Sequence, residues 1–331
     1  MSKQKSWKKY LIAFFVVVLI GTISLFVVWS EVFAAKLNTK EGKEMRIYVD
    51  KDENLADFVA NLEADSVVSK PKIFMFACRA LGLTPTTILP AGCYPVFPKM
   101  THLQLIQRVQ RGEQVPVRLT INYMRLPEQF ASKVSKQLMM DSVEIMNFVS
   151  DKDKMAELGY KPEHLFALVI RNTYGVWWTV SVDKLMQRLK KENDAFWNAN
   201  ERRAKAERLG LTIPEVITLA SIVEEETNYQ PEKSRVAGLY LNRLRKGIRL
   251  QSDPTVKFAL KDFALNRILF EHLKVDDPYN TYKYAGLPPG PIRLPRVATI
   301  DAVLNAEKHN YIYMCAKEDF SGKHNFAKTL I

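Results

Sequence analysis

TLASIVEEETNYQPEKSRVAGLYLNRLRKGIRLQSDPT, residues 218–255, is the stretch around which the remaining chain can be interpreted. It contains the end of an apolar helix that we predict over 212–227, because a threonine and then a proline stand where a helix usually begins. A second, basic helix is predicted over 233–246, with an apolar side that packs on the first. A short polar loop, 250–255, follows it.

Three consecutive carboxylates end the first helix, and helical spacing separates them. Neighbours on a helix lie three and four residues apart. Those preceding Glu226 are the apolar Val223 and Ile222, whereas those preceding Glu225 are mostly polar and those preceding Glu224 are mixed. We therefore predict that Glu226 ends the buried stripe, that Glu225 is solvated and that Glu224 is intermediate.

A carboxyl group held against apolar side chains resists ionisation, so the pKa of Glu226 should be raised. A raised pKa is what a general acid needs in order to protonate a leaving oxygen near neutral pH. The alternative is that Glu226 merely ends a helix and pairs with Arg235 or Arg243. Three acids at a helix C-terminus oppose the helix dipole and repel one another, and such a cost often marks function.

The first 29 residues predict a membrane anchor. Residues 10–29 contain no charge, and twenty helical residues span roughly 30 Å, the thickness of a bilayer core. The lysines in residues 1–9 should stay in the cytoplasm, which places everything after the span outside the inner membrane. The alternative, a cleaved signal peptide, normally has a shorter apolar core. Residues 30–44 form a polar linker.

The composition indicates a folded protein with a basic body. Hydrophobic residues make up 47% of 331 residues, and the net charge is +12. Such a charge suits an acidic polymer or a membrane surface, or simply solubility. A membrane anchor argues against nucleic acid as a partner.

The cysteines and the missing motifs exclude several classes of site. Cys78, Cys93 and Cys315 are widely spaced, so we expect no zinc site and no disulfide framework. One bridge between Cys78 and Cys93 stays open as an alternative to buried thiols. The chain lacks HExxH, P-loop, GxSxG and GxGxxG motifs, and we expect no metal and no cofactor.

The fold class is predicted to be α+β. Residues 45–121 read as strand, helix, helix, strand, helix and strand, and their start resembles a LysM-type fold. Residues 122–331 form a mixed α/β catalytic domain, which includes one long charged helix over 181–208. The Pro-, Gly- and Tyr-rich segment 277–295 is rigid, and its rings and amides suit a carbohydrate, although it can also be an ordinary loop. The loop at 250–255 can likewise present hydrogen bonds to a sugar, or Asp253 can simply cap a following helix.

The motifs SIVEEET, LYLNRL, LQSDPTV, YNTY and GLPPGPI occur in this order. As a set they resemble the MltG/YceG-like family of endolytic murein transglycosylases, over roughly residues 45–330. The resemblance implies a single-pass anchor, a LysM-like subdomain and non-hydrolytic cleavage of the β-1,4 bond between N-acetylmuramic acid and N-acetylglucosamine, leaving a 1,6-anhydromuramic end. It assigns the catalytic role to the last acid of E-x-E-T, which is Glu226. It also favours a role in terminating the elongation of nascent strands, beside the peptidoglycan synthases.

One segment departs from the family. Where relatives carry a stretch like LEGYLFPDTY, this chain has LFALVIRNTY at 165–174, so no substrate role of the missing acids is carried over. A hydrolase would need a second carboxylate, for which Asp253 and Glu224 are the candidates. The alternative to an enzyme is a non-catalytic scaffold that binds the cell wall. The candidate substrate-binding residues are Glu224, Asn242, Arg243, Gln251, Ser252, Asp253, Thr255, Tyr279, Asn280, Tyr282, Leu287, Pro288 and His324.

Overall fold

The structure is a computed structural model that describes residues 3–39, 42–319 and 321–329. Small parts of the predicted cytoplasmic tail, linker and catalytic domain therefore lie outside the described residues. The chain divides into two compact units. The first comprises Met1–Val117 with Trp177–Thr179, and the second comprises Arg118–Val176 with Val180–Ile331.

The N-terminal apolar segment forms α1, which spans Lys3–Val32. Within it, Trp7–Val32 is long and apolar enough to cross a membrane. The predicted helix is thus confirmed, and its membrane topology stays a prediction. The predicted polar linker, residues 30–44, is partly packed against the first unit. Leu37 lies with Val32 in the core of that unit, and Lys36 forms an antiparallel bridge with Thr101.

The rest of the first unit follows the predicted order of elements. These are β1 (Met45–Val49), α2 (Leu55–Ala64), α3 (Pro71–Ala80), β2 (Gly92–Val96) and α4 (His102–Gln110). β1 and β2 pair antiparallel, with Ile47 opposite Tyr94. Asn54 caps α2, and Thr101 forms a capping box with Gln104 at the start of α4. The unit is α+β, and its likeness to a LysM fold stays a prediction.

The strand expected to close this module belongs to a different sheet. β3 spans Val117–Ile121 and pairs with β4, Asn172–Val176. The hydroxyls of Thr120 and Thr173 lie 3.1 Å apart across the pair. Alternation of apolar residues predicted a strand here, but it carries no information about which strand is its partner.

The second unit is mainly helical around one central helix. In chain order its helices are α5 (Pro127–Ser135), α6 (Ser142–Ser150), α7 (Lys152–Glu157), α8 (Leu165–Leu168), α9 (Val182–Asn198), α10 (Arg202–Leu209), α11 (Ile213–Glu226), α12 (Lys233–Arg245), α13 (Asp253–Leu260) and α14 (Val297–Leu304). A hairpin of β5 (Tyr313–Ala316) and β6 (His324–Ala327) follows. α11 is buried over nine consecutive residues and packs against α8, α10, α12, α13 and α14. A helix that is buried all round forms the core of the unit.

The prediction of one helix over 181–208 is wrong. α9 and α10 are separated at Asn200 and Glu201, whose φ angles of 57° and 56° lie in the left-handed region. An α-helix cannot continue through that conformation. Arg202 then makes two hydrogen bonds to Asp301, of 2.8 and 3.1 Å, which hold α10 against α14.

Two further sequence features have a structural explanation. The divergent segment 165–174 forms α8 and β4, and its residues 165–170 are all buried, so it contributes to the core of the second unit. Cys78 and Cys93 are buried free thiols, as predicted, and do not form the alternative bridge. Burial raises the pKa of Cys78 to about 12.

Within the described part of the chain, no group of three or more His, Cys, Asp or Glu side chains is arranged to hold a metal ion.

Candidate active site

Glu226 is the last residue of α11, and the sequence explains its position. Thr212 and Glu215 form a capping box at the other end of the helix, which sets where its turns begin. The helix ends because Thr227 is extended, with φ −143° and ψ 136°. Glu226 is thereby held at the edge of the core: part of its side chain is exposed, while protein atoms crowd the carboxyl group.

Two hydroxyl groups converge on one oxygen of this carboxyl group. Tyr240 of α12 donates a hydrogen bond of 2.6 Å to Glu226 Oε1, and Ser252 Oγ donates to the same atom. Among the described residues, no hydrogen-bond donor contacts Oε2. The predicted alternative partners are wrong: Arg235 binds Glu307, and Arg243 binds backbone carbonyl groups.

Burial raises the pKa of Glu226 above its ordinary range, as predicted. Hydrogen bonds from Ser252 and Tyr240 oppose the rise, and the negative charge of Asp253 adds to it. Burial, together with the nearby Glu226, keeps the pKa of Tyr240 well above that of a free phenol. Tyr240 therefore stays protonated as a donor. Since both donors occupy Oε1, Oε2 is the oxygen that can carry the proton when Glu226 is in its acid form.

The prediction for Glu224 is wrong, because this residue is the most buried of the three acids, with only 3% of it exposed. Its Oε2 accepts hydrogen bonds from Lys233 Nζ at 2.9 Å and from the Thr299 hydroxyl, and its Oε1 accepts one from Arg296 at 2.5 Å. Burial alone would raise the pKa of Glu224, but these hydrogen bonds and charges lower it. Glu224 is thus an ionised link between α11, α12 and α14.

Glu225 is not solvated, in contrast to its predicted exposure. Arg125 binds its Oε2 at 2.7 Å, and Arg293 binds its Oε1. Only 16% of the Glu225 side chain is exposed. The guanidinium group of Arg293 also lies over the ring of Tyr123, 4.3 Å from its centroid. Each neighbour of Glu226 is therefore neutralised by its own pair of cations, which removes most of the repulsion among the three acids.

The polar loop before α13 carries Ser252 to Glu226. Gln251 adopts a left-handed φ of 53°, and its backbone N–H donates to the carbonyl group of Thr281 at 3.1 Å. The Ser252 N–H donates to Thr281 Oγ1 at 3.0 Å. The Thr255 hydroxyl lies 2.8 Å from the same atom. Thr281 thus anchors the loop, and sequence reasoning did not identify it.

The predicted cap of the following helix is also different. Ser252, not Asp253, is the N-cap residue of α13, and its hydroxyl binds Glu226 instead of capping the helix. Asp253 Oδ1 accepts a hydrogen bond of 2.6 Å from the hydroxyl of Tyr282. Burial, Asp253 and Glu226 together raise the pKa of Tyr282. Asp253 and Tyr282 therefore belong to the same cluster as Glu226.

His324 lies beside this cluster. Its Nδ1 lies 2.8 Å from Glu232 Oε2, and its backbone N–H donates to Glu232 Oε1 at 3.0 Å. The imidazole also acts electrostatically on Glu226. Glu232 was not singled out from the sequence, because its partner lies 92 residues away along the chain.

Several predicted substrate-binding residues instead support the fold. Asn242 donates to the carbonyl groups of His309 and Tyr311, and Arg243 donates to those of Arg249 and Ile312. Both side chains therefore hold the segment that leads into the β5–β6 hairpin. Such bonds fix backbone groups that would otherwise be unpaired.

The segment 277–295 is likewise largely packed. Asn280 is fully buried and donates to the carbonyl groups of Leu273 and Val275, and the ring of Tyr279 lies 4.6 Å from that of Phe258. Leu287 and Pro288 line a cavity of about 490 Å³ together with residues from the first turn of α11. That turn is about 20 Å from Glu226 along the helix. These residues are not brought to the Glu226 cluster.

Tyr240 is a contact of Glu226 that sequence reasoning also missed. It lies on the side of α12 that was predicted only as an apolar face packing on the first helix. The available signal was chemical: a tyrosine in a buried stripe usually finds a hydrogen-bond partner for its hydroxyl. Periodicity alone did not show that this partner is Glu226.

The sequence is similar to those of curated proteins. An endolytic murein transglycosylase from Bacillus subtilis (strain 168) is 33% identical over 150 residues, which cover 45% of this chain and 40% of that protein. One from Streptococcus pneumoniae serotype 2 (strain D39) is 25% identical over 311 residues, which cover 85% of this chain and 55% of that protein. The chain thus spans about half the length of the curated relatives it matches.

A crystal structure at 2.6 Å of a yceG-like protein from Listeria monocytogenes resembles this one with a TM-score of 0.58 and 27% sequence identity. The likeness covers 87% of this chain and 97% of that chain. The model of the YceG-like family matches residues 47–331, which is most of the sequence. The chain therefore belongs to the YceG-like family.

Proposed function

We propose that this protein is a membrane-anchored lytic transglycosylase that cleaves peptidoglycan between N-acetylmuramic acid and N-acetylglucosamine. The curated relatives, which are named endolytic murein transglycosylases, support the reaction class. The observation that carries the proposal is the Glu226 carboxyl group, whose pKa is raised by burial and whose two hydrogen-bond donors both bind Oε1, which leaves Oε2 to carry the acidic proton. This combination suits a general acid.

The reaction needs one carboxyl group that acts twice. Glu226 Oε2 donates its proton to the glycosidic oxygen, and the bond between that oxygen and C1 of the muramic residue breaks. The 6-hydroxyl of the same residue attacks C1 of the oxocarbenium-like centre, and the Glu226 carboxylate removes the hydroxyl proton. The proton balance closes and no water is consumed. The hydroxyls of Tyr240 and Ser252 stabilise the carboxylate between the two steps.

Asp253 keeps hydrolysis open as a second candidate reaction. Its charge acts on Glu226, so it is close enough to influence that carboxyl group. A second carboxylate is what a hydrolase requires to activate water. Glu224 does not compete for this role, because Lys233, Arg296 and Thr299 enclose it.

Mass spectrometry of digested glycan strands tests the proposal. We expect products with 1,6-anhydromuramic ends, whereas ordinary reducing ends would replace the transglycosylase with a hydrolase. Glu226→Gln should abolish cleavage, while Glu207→Gln, on the exposed surface of α10, should cleave normally. Binding of sacculi by the wild-type protein without cleavage would favour the alternative hypothesis, a non-catalytic scaffold that binds the cell wall.

The cellular setting is part of the same proposal. With α1 across the inner membrane and the N-terminus in the cytoplasm, the catalytic unit lies outside and meets new strands first. That placement suits a terminator of glycan elongation that works beside peptidoglycan synthases. Protease protection of a C-terminal tag in spheroplasts would contradict this topology.

A further inference from the structure

A second cleft of the catalytic unit lies away from Glu226. It has a volume of about 840 Å³ and is bordered by α10, α12 and the segment that follows α14. Its polar lining includes Lys205, Arg208, Arg245, Lys308, Asn305 and Asn310. Residues 238, 241, 242 and 245 of α12 line it, a set with helical spacing of three and four. Tyr240, which contacts Glu226, lies about 150° around the helix from this set.

Most of the positive charge in this cleft has no ion-pair partner among the described residues. Among the described residues, Lys205, Arg245 and Lys308 form no ion pair. Arg208 reaches only the exposed Glu201, at 3.7 Å. The acid in the lining, Glu307, is bound through both of its oxygens by Arg235, at 3.0 and 3.1 Å. Surrounding walls that exclude part of the solvent strengthen the field of such a group of cations.

The wall of the cleft is rigid. A Cβ atom on Gly238 would lie 2.3 Å from the carbonyl oxygen of Glu307, so this glycine allows the segment after α14 to approach α12 closely. The Glu307 N–H donates to the carbonyl group of Ser234 at 3.0 Å. Asn242 donates to the carbonyl group of His309 at 2.7 Å. The cleft therefore exists before any ligand arrives, which lowers the entropic cost of binding.

We infer that this cleft binds the carboxylates of the peptide that each muramic acid residue carries, an inference that rests on the proposed function. A glycan bound at Glu226 lies on one face of α12 and the cationic cleft on another. The helix with its side chains is about 10–12 Å across, so a path of 150° around it is about 13–16 Å long. Four or five extended peptide residues reach about 13–18 Å. A peptide attached near the cleaved bond can thus bring its acidic side chain and its C-terminal carboxylate to Lys205 and Arg245.

This arrangement assigns a substrate class. Strands that carry peptides would bind at two places, at Glu226 and in the cationic cleft, whereas strands stripped of peptides would bind only at the first. Charge-assisted hydrogen bonds to carboxylates are stronger than neutral ones, so the contact in the cleft should lower KM for strands that carry peptides. The chemistry at Glu226 is unchanged, so kcat should not depend on it.

The test compares Lys205→Gln/Arg245→Gln with the matched control Lys184→Gln/Lys191→Gln, which removes the same charge from the exposed surface of α9. Each protein is assayed on peptide-bearing glycan and on the same glycan after amidase removal of the peptides. For the wild type and the control, stripping should raise KM about tenfold or more. For the cleft variant, KM on peptide-bearing strands should already equal that on stripped strands, with kcat retained. Equal KM values of the wild type on both substrates would overturn the inference, as would an equal loss by the variant on both.

Calorimetry separates this inference from the proposed function. Glu226→Gln protein is titrated with a disaccharide–peptide monomer, with the unsubstituted disaccharide, with inorganic phosphate and with vesicles of anionic lipid. Tighter binding of the peptide-bearing monomer, lost on Lys205→Gln/Arg245→Gln, supports the cleft even if the wild type cleaves no glycan. Tighter binding of phosphate or of vesicles than of the peptide-bearing monomer would overturn it.

Discussion

Replacing Tyr240 by phenylalanine removes one oxygen atom and with it one of the two donors to Glu226 Oε1. A donor stabilises the ionised carboxylate more than the neutral acid, so its loss raises the pKa of Glu226 further. A hydrogen bond to a charged group is worth about 1.5–3 kcal/mol. At a fixed pH this corresponds to a roughly ten- to hundredfold increase in the ratio of protonated to ionised Glu226.

The pH dependence of kcat/KM reports this change. A general acid works in its protonated form, so activity is lost as the pH rises through the pKa of Glu226. In Tyr240→Phe the alkaline limb should move to higher pH, and kcat at the optimum should fall because one of the groups that orient the carboxyl is gone. Ser252→Ala, which removes the other donor, should move the limb in the same direction.

Tyr160→Phe is the matched control, because it also removes a buried tyrosine hydrogen bond, of 2.8 Å, to Asn193. Its cost in stability should be similar, and its pH profile should be that of the wild type. An alkaline limb that stays in place in both Tyr240→Phe and Ser252→Ala would refute the reasoning, since Glu226 would then not be the group that limits activity. A limb that moves in Tyr160→Phe as well would show that the effect is not local.

Two other predictions concern stability, measured by urea denaturation. Glu224→Gln should lower the free energy of unfolding by about 3–5 kcal/mol, because it leaves Lys233 buried without its carboxylate, whereas Glu207→Gln should change it by less than about 0.5 kcal/mol. The pKa of Glu224 is lowered in the folded state, so the ionised carboxylate stabilises the fold above the ordinary glutamate pKa of about 4.3. This stabilisation is lost as the pH falls through the pKa of the folded state. The difference in unfolding free energy between the wild type and Glu224→Gln should therefore shrink in acid. An undiminished deficit there would contradict an ionised Glu224. Gly238→Ala should cost about 1–3 kcal/mol, because its new methyl group meets the Glu307 carbonyl oxygen; full stability would mean that the two segments separate easily.

The sequence by itself determined most of the local structure and the choice of Glu226. The elements from β1 to α4 occur in the predicted order, and Thr212 caps α11 where a helix start was expected. These features depend on interactions within a few residues, such as a hydroxyl that binds an N–H three positions later. The apolar neighbours of Glu226 on its own helix likewise indicated a raised pKa. Backbone strain at residues 200 and 201 left no comparable signal, so one helix was predicted where two exist.

Only the tertiary structure decided what surrounds the three acids. Glu224 is paired with Lys233 and Arg296, and Glu225 with Arg125 and Arg293, across separations of 9 to 100 residues. The position of the hydroxyls of Tyr240 and Ser252 on Glu226 depends in the same way on how α12 and the loop before α13 pack against α11. Helical spacing states which residues share a face, but it does not state which distant group will meet that face. Long-range packing supplies those partners, which lower the pKa of Glu224, while burial raises that of Glu226.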